Sequence, residues 1–191
     1  MPTVFIFHGA LGHPEENWFP WLAGELRKRG VQVIVPRFPT PEGQTLENWF
    51  EVMRPHLAKM GKETILVGHS VGAVFLLRVL EKVKVQVRAG FLVAGFAERL
   101  GLPQFDPLNV TFLEGGFDWV SIRKNCEYRS VYYSDNDPYV KELQGARLAK
   151  TLKAKAVLVR GAGHFNEAAG YTRFPLLLEA VEKELKKEMR R

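Results

Sequence analysis

Short apolar runs alternate along the chain with longer segments in which apolar residues recur every three or four positions. The short runs are rich in β-branched and aromatic residues, which is typical of buried strands. The predicted strands are residues 4–7, 31–35, 64–67, 90–93, 130–133 and 156–159. The spacing in the longer segments predicts amphipathic helices. The predicted helices are residues 18–29, 46–60, 71–80, 140–152 and 175–187, and Pro55 is expected to bend the second of them.

The alternation of strands with helices implies βαβ units. Each predicted strand is almost continuously apolar, as expected for parallel strands that are covered on both faces. Because crossover connections are right-handed, the pattern predicts an α/β three-layer sandwich with a mostly parallel, doubly wound sheet. Functional residues in such sheets lie at the carboxyl ends of the strands. The 191 residues are expected to form a single domain.

One stretch interrupts this alternation. Residues 95–127 contain no clear strand pattern, and only residues 117–123 resemble a short helix. Long connections in compact domains are usually functional. We therefore expect this stretch to form a lid or a pocket wall.

The sharpest chemical signal is the sequence GHSVG at residues 68–72, between a predicted strand and a predicted helix. This is the context of a nucleophile elbow, in which a strained backbone lifts the serine hydroxyl out of the sheet. Glycines on both sides leave room for the tight turn. The alternative is that Ser70 only caps the helix. We expect Ser70 to be a nucleophile.

A serine hydroxyl needs an adjacent base, and α/β-hydrolases place an acid and then a histidine after the nucleophile. His164 directly follows the last predicted strand, in the sequence GHFN at residues 163–166, and is the expected base. The acid is expected within SDNDP at residues 134–138. Asp137 is favoured over Asp135 because it adjoins a predicted helix, although either aspartate could serve only as a helix cap.

An oxyanion hole needs backbone N–H donors close to the nucleophile. Val71 at the start of the helix and Ala10 in the turn after the first strand are the expected donors. The alternative is that residues 8 and 9 serve only to end that strand. The sequence has no HExxH motif, no Cys/His cluster and no phosphate-binding glycine motif. We therefore expect no metal, no nucleotide and no other cofactor.

Composition sets limits on partners. The net charge is +6, and part of the excess lies in the last helix. Its basic residues are Lys183, Lys186, Lys187, Arg190 and Arg191. Interspersed glutamates favour a solvated helix face over a nucleic-acid surface.

No apolar run reaches the roughly 18 residues of a membrane span, and no signal peptide is recognised, so a cytoplasmic protein without membrane contact is expected. The single cysteine, Cys126, excludes an internal disulfide and is expected to be a small buried side chain.

Motifs in the same order along nearly the whole chain carry a family resemblance. They are FHG at 7–9, WFPWL at 18–22, GHSVG at 68–72, FDW at 117–119, SDNDPYV at 134–140, GHFN at 163–166 and GY at 170–171. The chain resembles the YdeN-like group of small α/β-hydrolases without a large cap, which includes the retinoblastoma-binding serine hydrolase. The elbow is common to many hydrolases, whereas the SDNDPYV and GHFN motifs together are more specific.

The resemblance implies a serine hydrolase with Ser70, Asp137 and His164 as its catalytic residues. It implies cleavage of small esters or amides, aminoacyl compounds included, without a cofactor. Trp18, Trp21 and Phe165 would then lie near the acyl pocket with His69, although core packing explains the two tryptophans equally well. The alternative function is a protein–protein interaction module on the same scaffold. A homodimer is compatible with either function.

Overall fold

Six strands form one parallel sheet in the computed structural model, which describes residues 2–187. The strands are β1 (Thr3–Phe7), β2 (Gln32–Ile34), β3 (Thr64–His69), β4 (Val87–Val93), β5 (Cys126–Tyr133) and β6 (Lys155–Leu158). Their order across the sheet is β2-β1-β3-β4-β5-β6, and each neighbouring pair is parallel. The connections leave β1 in one direction and continue from β3 in the other. This reversal creates a crevice at the carboxyl ends of β1 and β3.

Helices cover both faces of the sheet. They are α1 (Phe19–Lys28), α2 (Leu46–Leu57), α3 (Val71–Lys82), α4 (Asp106–Leu113), α5 (Trp119–Lys124), α6 (Glu142–Leu152) and α7 (Pro175–Lys186). The apolar residues of α1 and α7 pack on one face, and those of the other five helices pack on the opposite face. The predicted α/β three-layer architecture is confirmed.

Alternation of side chains along β1 shows why the strands are apolar throughout. Val4 and Ile6 join the core beneath α1 and α7, whereas Phe5 and Phe7 join the core beneath α2 and α3. All four side chains are fully buried. A parallel strand with helices on both sides therefore has no face left for polar residues.

Two strands begin three or four residues earlier than the sequence predicts. β4 starts at Val87 and β5 at Cys126, and these two residues pair with each other. Charged residues in these stretches mask the strand pattern. Arg129 within β5, for example, donates to the carbonyl oxygens of Leu152 at 3.1 Å and of Arg123 at 3.0 Å. Cys126 is buried, as predicted, and burial raises the pKa of its thiol to about 12.

The stretch from residue 95 to 127 holds α4, which the sequence analysis missed, and α5, which it placed within two residues. A buried arginine of α3 anchors this stretch. Arg78 donates to the carbonyl oxygens of Phe112 at 2.9 Å, of Glu114 at 2.7 Å and of Gly116 at 2.7 Å. Residues 112–116 of the connection are thus fastened to the underlying helix.

Part of the predicted basic face of the last helix is described. Lys186 pairs with Glu182, and Lys187 pairs with Glu184. Arg190 and Arg191 lie outside the described residues. No helix between residues 2 and 187 combines the length and the apolar character that crossing a membrane requires.

Candidate active site

Ser70 lies in the sharp turn between β3 and α3. Its φ of 55° and ψ of −126° form a backbone conformation that residues other than glycine rarely adopt. Its N–H nevertheless donates to the carbonyl oxygen of Val93 on the neighbouring strand at 2.9 Å. A Cβ on Gly68 would lie 2.6 Å from the Cα of Ala73, so only glycine lets the strand approach the helix this closely. The backbone has the strained strand–turn–helix form that the sequence predicts.

Asp137 and His164 are joined by a hydrogen bond. The Nδ1 atom of His164 lies 2.8 Å from Oδ2 of Asp137. The other carboxylate oxygen, Oδ1, accepts from the backbone N–H groups of Tyr139 at 2.8 Å and Val140 at 3.0 Å. The Asp137 side chain is only 1% exposed. Because a carboxylate only accepts, Nδ1 of the imidazole carries the proton and Nε2 keeps a free lone pair.

Asp135, the alternative acid, has a different contact. Its Oδ1 atom accepts from the backbone N–H of Gly161 at 2.8 Å, and its Oδ2 atom lies 3.4 Å from the exposed guanidinium of Arg160. Asp135 therefore braces the loop after β6. The structure pairs the imidazole with Asp137.

Side chains from distant parts of the chain hold the backbone of the loop that carries His164. The ring of His69, beside the nucleophile, donates from Nε2 to the carbonyl oxygen of His164 at 2.7 Å. The indole of Trp18 donates to the carbonyl oxygen of the next residue, Phe165, at 2.9 Å. Asn136 accepts from the N–H of Gly163 at 2.7 Å. The position of the imidazole is thus set by the elbow, by the segment before α1 and by the loop after β5.

Ser70 and His164 line the same cavity, which has a volume of about 190 Å³ and opens at the reversal between β1 and β3. Among residues 2–187, only six residues other than glycine have a positive φ, and Leu11, Asn17 and Ser70 are three of them. All three line this cavity. Strained backbone concentrates at functional sites, so this clustering supports the assignment of the site.

In the described structure, the Ser70 hydroxyl and the imidazole share the cavity without a hydrogen bond between them. Such contacts are often long in the absence of substrate and tighten when it binds.

The two expected oxyanion donors lie beside the nucleophile. Ala10 lines the cavity with Ser70, and Val71 is the first residue of α3. The N–H of a first helical residue has no partner within its own helix. Within residues 2–187, the N–H of Ala10 donates to no acceptor. A Cβ on Gly9 would lie 3.1 Å from Cβ of Ser70, so the strand end approaches the elbow closely.

Three of the four residues expected around the acyl pocket do not line the cavity. Trp18 and Phe165 are fully buried in the core beneath α1 and α7, and Trp21 packs against the edge of that core. The Trp18 side chain points beneath the histidine loop because its indole N–H bonds to the Phe165 carbonyl. His69 is the fourth residue, and it does line the cavity.

Other cavity residues escaped the sequence analysis. They are Leu11, Glu16, Asn17, Leu100, Phe105, Asn109, Tyr139 and Asn166. Tyr139 and Asn166 belong to the two specific motifs, which offered a signal for them. Leu100, Phe105 and Asn109 come from the stretch 95–127, which therefore contributes a pocket wall, as expected.

Two buried histidines near the elbow are neutral. The Nε2 atom of His8 accepts from the N–H of Phe38 at 3.0 Å, so Nδ1 carries the proton and donates to the carbonyl oxygen of Gly9 at 2.8 Å. Burial lowers the pKa of His8 to about 4. Burial, and then the proximity of His164, lower the pKa of His69 to about 3. Neither histidine can titrate near neutral pH.

We expect the protein to lose stability steeply below pH 6.5. In the unfolded chain both histidines bind a proton near their ordinary pKa of 6.5, whereas in the folded chain His8 does so only near pH 4 and His69 near pH 3. The unfolded state therefore gains protons first as the pH falls. The two groups together should lower the free energy of unfolding by about 4 kcal/mol between pH 7 and pH 5. Urea titrations at both pH values measure this change.

A pair of variants isolates the contribution of one histidine. His69→Gln keeps a side-chain N–H donor but cannot titrate, so it should remove about half of the pH dependence. His13→Gln, at an exposed histidine, should change that dependence less than His69→Gln does. If the free energy of unfolding changed equally with pH in the wild type and in His69→Gln, burial of His69 would not contribute to the pH dependence.

Comparisons with known proteins agree with this geometry. Residues 4–183 match the family model described as serine hydrolase. YdeN from Bacillus subtilis (strain 168) is 32% identical over 189 residues, which cover 98% of each chain. The serine hydrolase RBBP9 from Rattus norvegicus is 27% identical over 87% of this chain and 85% of its own.

Solved structures show the same similarity. The crystal structure of the B. subtilis ydeN gene product superposes with a TM-score of 0.91 at 30% identity, over 97% of this chain and all of that chain (100%). Est1E from Butyrivibrio proteoclasticus shares the fold, with a TM-score of 0.70 at 20% identity over 100% of this chain and 89% of its own. The chain belongs to the serine hydrolase family.

Proposed function

We propose that this serine hydrolase cleaves small carboxylic esters, and related amides or aminoacyl compounds, through an acyl-enzyme formed on Ser70. The observation that carries the proposal is the 2.8 Å hydrogen bond from His164 Nδ1 to Asp137 Oδ2, beside the cavity that Ser70 lines. A carboxylate that fixes the tautomer in this way leaves Nε2 able to accept the hydroxyl proton. A chain used only as a protein-binding module would not need this pair.

In the proposed mechanism, the same groups act in both half-reactions, with His164 as base and then as acid. Ser70 Oγ attacks the acyl carbon while Nε2 of His164 takes the hydroxyl proton. The N–H groups of Ala10 and Val71 stabilise the oxyanion that develops on the carbonyl oxygen. His164 then gives the proton to the leaving alcohol or amine. Water attacks the acyl-enzyme with His164 again as the base, and Ser70 is regenerated.

The size of the cavity favours small substrates. Its volume of about 190 Å³ is below the roughly 300 Å³ at which drug-sized ligand pockets begin. We expect kcat/KM for p-nitrophenyl esters to be highest for acyl chains of two to four carbons, and to fall by about 10-fold or more for an eight-carbon chain. Parallel assays with aminoacyl amides determine the preference between ester and amide. A profile that rises with chain length would contradict the proposed cavity.

Labelling with a fluorophosphonate probe tests the catalytic role directly. The wild type should be labelled, and Ser70→Ala should not. Ser121→Ala serves as the matched control, because this serine lies away from the cavity in α5 and donates to Asp118. Failure to label the wild type, or equal labelling of Ser70→Ala, would reject the hydrolase mechanism and favour the interaction module.

A further inference from the structure

Glu16 is the only acidic residue among those that line the active-site cavity, and in the described structure no lysine or arginine lines it. The whole chain carries a net charge of +6, so a negative group at this position runs against the overall charge. The side chain is half-buried. A carboxylate in a small cavity beside a nucleophile has a direct effect on which substrates can enter.

Within the described residues, no lysine or arginine forms an ion pair with the Glu16 carboxylate. The neighbouring Glu15 pairs with both Arg37 and His13, whereas no ion pair is recorded for Glu16 within residues 2–187. Burial raises the pKa of Glu16, whereas the charge of His13 and hydrogen bonds with the His13 backbone and the Asn17 side chain lower it, and the charge of Glu167 raises it slightly. A partly desolvated carboxylate with no lysine or arginine paired to it gains stability when a cation binds beside it.

The remaining walls suit a small organic cation. Phe105 and Tyr139 line the same cavity and contact each other edge to face, with ring centroids 5.2 Å apart. Leu11 and Leu100 add aliphatic surface. Aromatic faces attract ammonium groups, and the apolar surface accommodates the short carbon chain attached to them. A neutral or anionic substrate would bring no positive charge to the Glu16 carboxylate.

We infer that Glu16 selects substrates that carry a protonated primary amine near the scissile bond, so that the natural substrates are ammonium-bearing esters or amides. This inference rests on the proposed hydrolase function and adds the substrate class. The Glu16 carboxylate pairs with the ammonium group, and the reacting carbonyl then lies against Ser70. The amine can belong to the acyl part or to the leaving group.

Two isosteric substrate pairs test this selection. Methyl β-alaninate differs from methyl butyrate by an ammonium group in place of a methyl group on the acyl side. The compounds 2-aminoethyl acetate and propyl acetate differ in the same way on the alcohol side. The readout is the ratio of kcat/KM for the charged ester to kcat/KM for its neutral partner. Glu16→Gln should lower this ratio by about 10-fold or more for at least one pair.

A matched control separates the local effect from a general change of charge. Glu15→Gln removes the same charge one residue away, from an exposed side chain already paired with Arg37, and should leave both ratios unchanged. Comparing ratios between proteins cancels the intrinsic reactivity of each ester. Ratios that do not differ between the wild type and Glu16→Gln would overturn the inference, while hydrolysis of the neutral esters would leave the proposed function intact.

A binding measurement keeps the inference testable without turnover. Calorimetric titration of Ser70→Ala with 2-aminoethyl acetate and propyl acetate should show tighter binding of the charged ester, and Glu16→Gln in the same background should remove the difference. If the wild type hydrolyses no ester, the proposed function fails, and this titration still tests Glu16. Equal binding of both esters would overturn the inference. If Glu16→Gln does not fold, the wild type is tested with propylammonium and 1-butanol as competitors of ester binding. Stronger competition by propylammonium supports the inference, and equal competition by the two compounds overturns it.

Discussion

Replacing Asp137 by asparagine should lower kcat by about 10⁴-fold and change KM by only a few-fold. One carboxylate oxygen accepts from the N–H groups of Tyr139 and Val140, and the other accepts from His164. The single oxygen of an asparagine would stay with the two backbone donors, and its amide N–H would face Nδ1. The imidazole would then carry its proton on Nε2 and could no longer accept one from Ser70.

The opposite orientation of the asparagine side chain is also unfavourable. It would place the amide N–H groups against the two backbone donors, and both of these hydrogen bonds would be lost. Hydrolysis of p-nitrophenyl acetate over a range of concentrations separates kcat from KM. Because the amide occupies the same volume as the carboxylate, circular dichroism should show an unchanged fold.

Asp135→Asn is the matched control, two residues away in the same loop. Asp135 accepts from Gly161 and does not contact the imidazole, so its amide can keep that hydrogen bond through the remaining oxygen. Activity should stay within a few-fold of the wild type. Equal activity of the two variants, or a greater loss in Asp135→Asn, would contradict the proposed orientation of His164.

The fold was predictable because the sheet imposes its pattern on local sequence. A parallel strand covered on both faces is apolar at nearly every position, as in β1 and in the middle of β3, and such runs are visible without any knowledge of their neighbours. The elbow was predictable for a related reason. The close approach of β3 to α3 requires small residues at Gly68 and Gly72, so a tertiary constraint appears as a short local motif. The positions of Asp137 and His164 followed from their places after the last two strands.

The cavity walls were not predictable in the same way, because contacts between distant residues decide them. Trp18 is separated from Phe165 by 147 positions, and the hydrogen bond between them turns the indole away from the cavity. Leu100 and Phe105 line the site from the connection between β4 and β5, whose later part Arg78 fastens to α3. No periodic pattern in the sequence of that connection indicates these contacts. Side-chain direction in loops depends on the partners found after folding.

Replacing Gly72 by alanine should destabilise the protein by at least about 4 kcal/mol, or prevent folding. Gly72 is the second residue of α3, and a Cβ there would lie under 3.0 Å from the carbonyl oxygens of Phe7 and His8. These atoms are backbone, and Phe7 is paired with Gly68 in the sheet, so they cannot move without disturbing β1. The helix would have to withdraw from the strand. Urea denaturation followed by circular dichroism measures the loss.

Helix propensity alone predicts that Gly72→Ala stabilises the protein. Gly24→Ala is the comparison at a helical glycine where a Cβ has room. Gly24 lies in α1, and a Cβ there would meet nothing within 4 Å. Alanine at this position should therefore raise the free energy of unfolding by about 0.5–1 kcal/mol, which is the ordinary advantage of alanine over glycine within a helix. If Gly72→Ala were stabilising to the same extent, α3 would not pack directly on the end of β1. Ser70 would then lack the close contact between helix and strand that holds its backbone in the strained conformation.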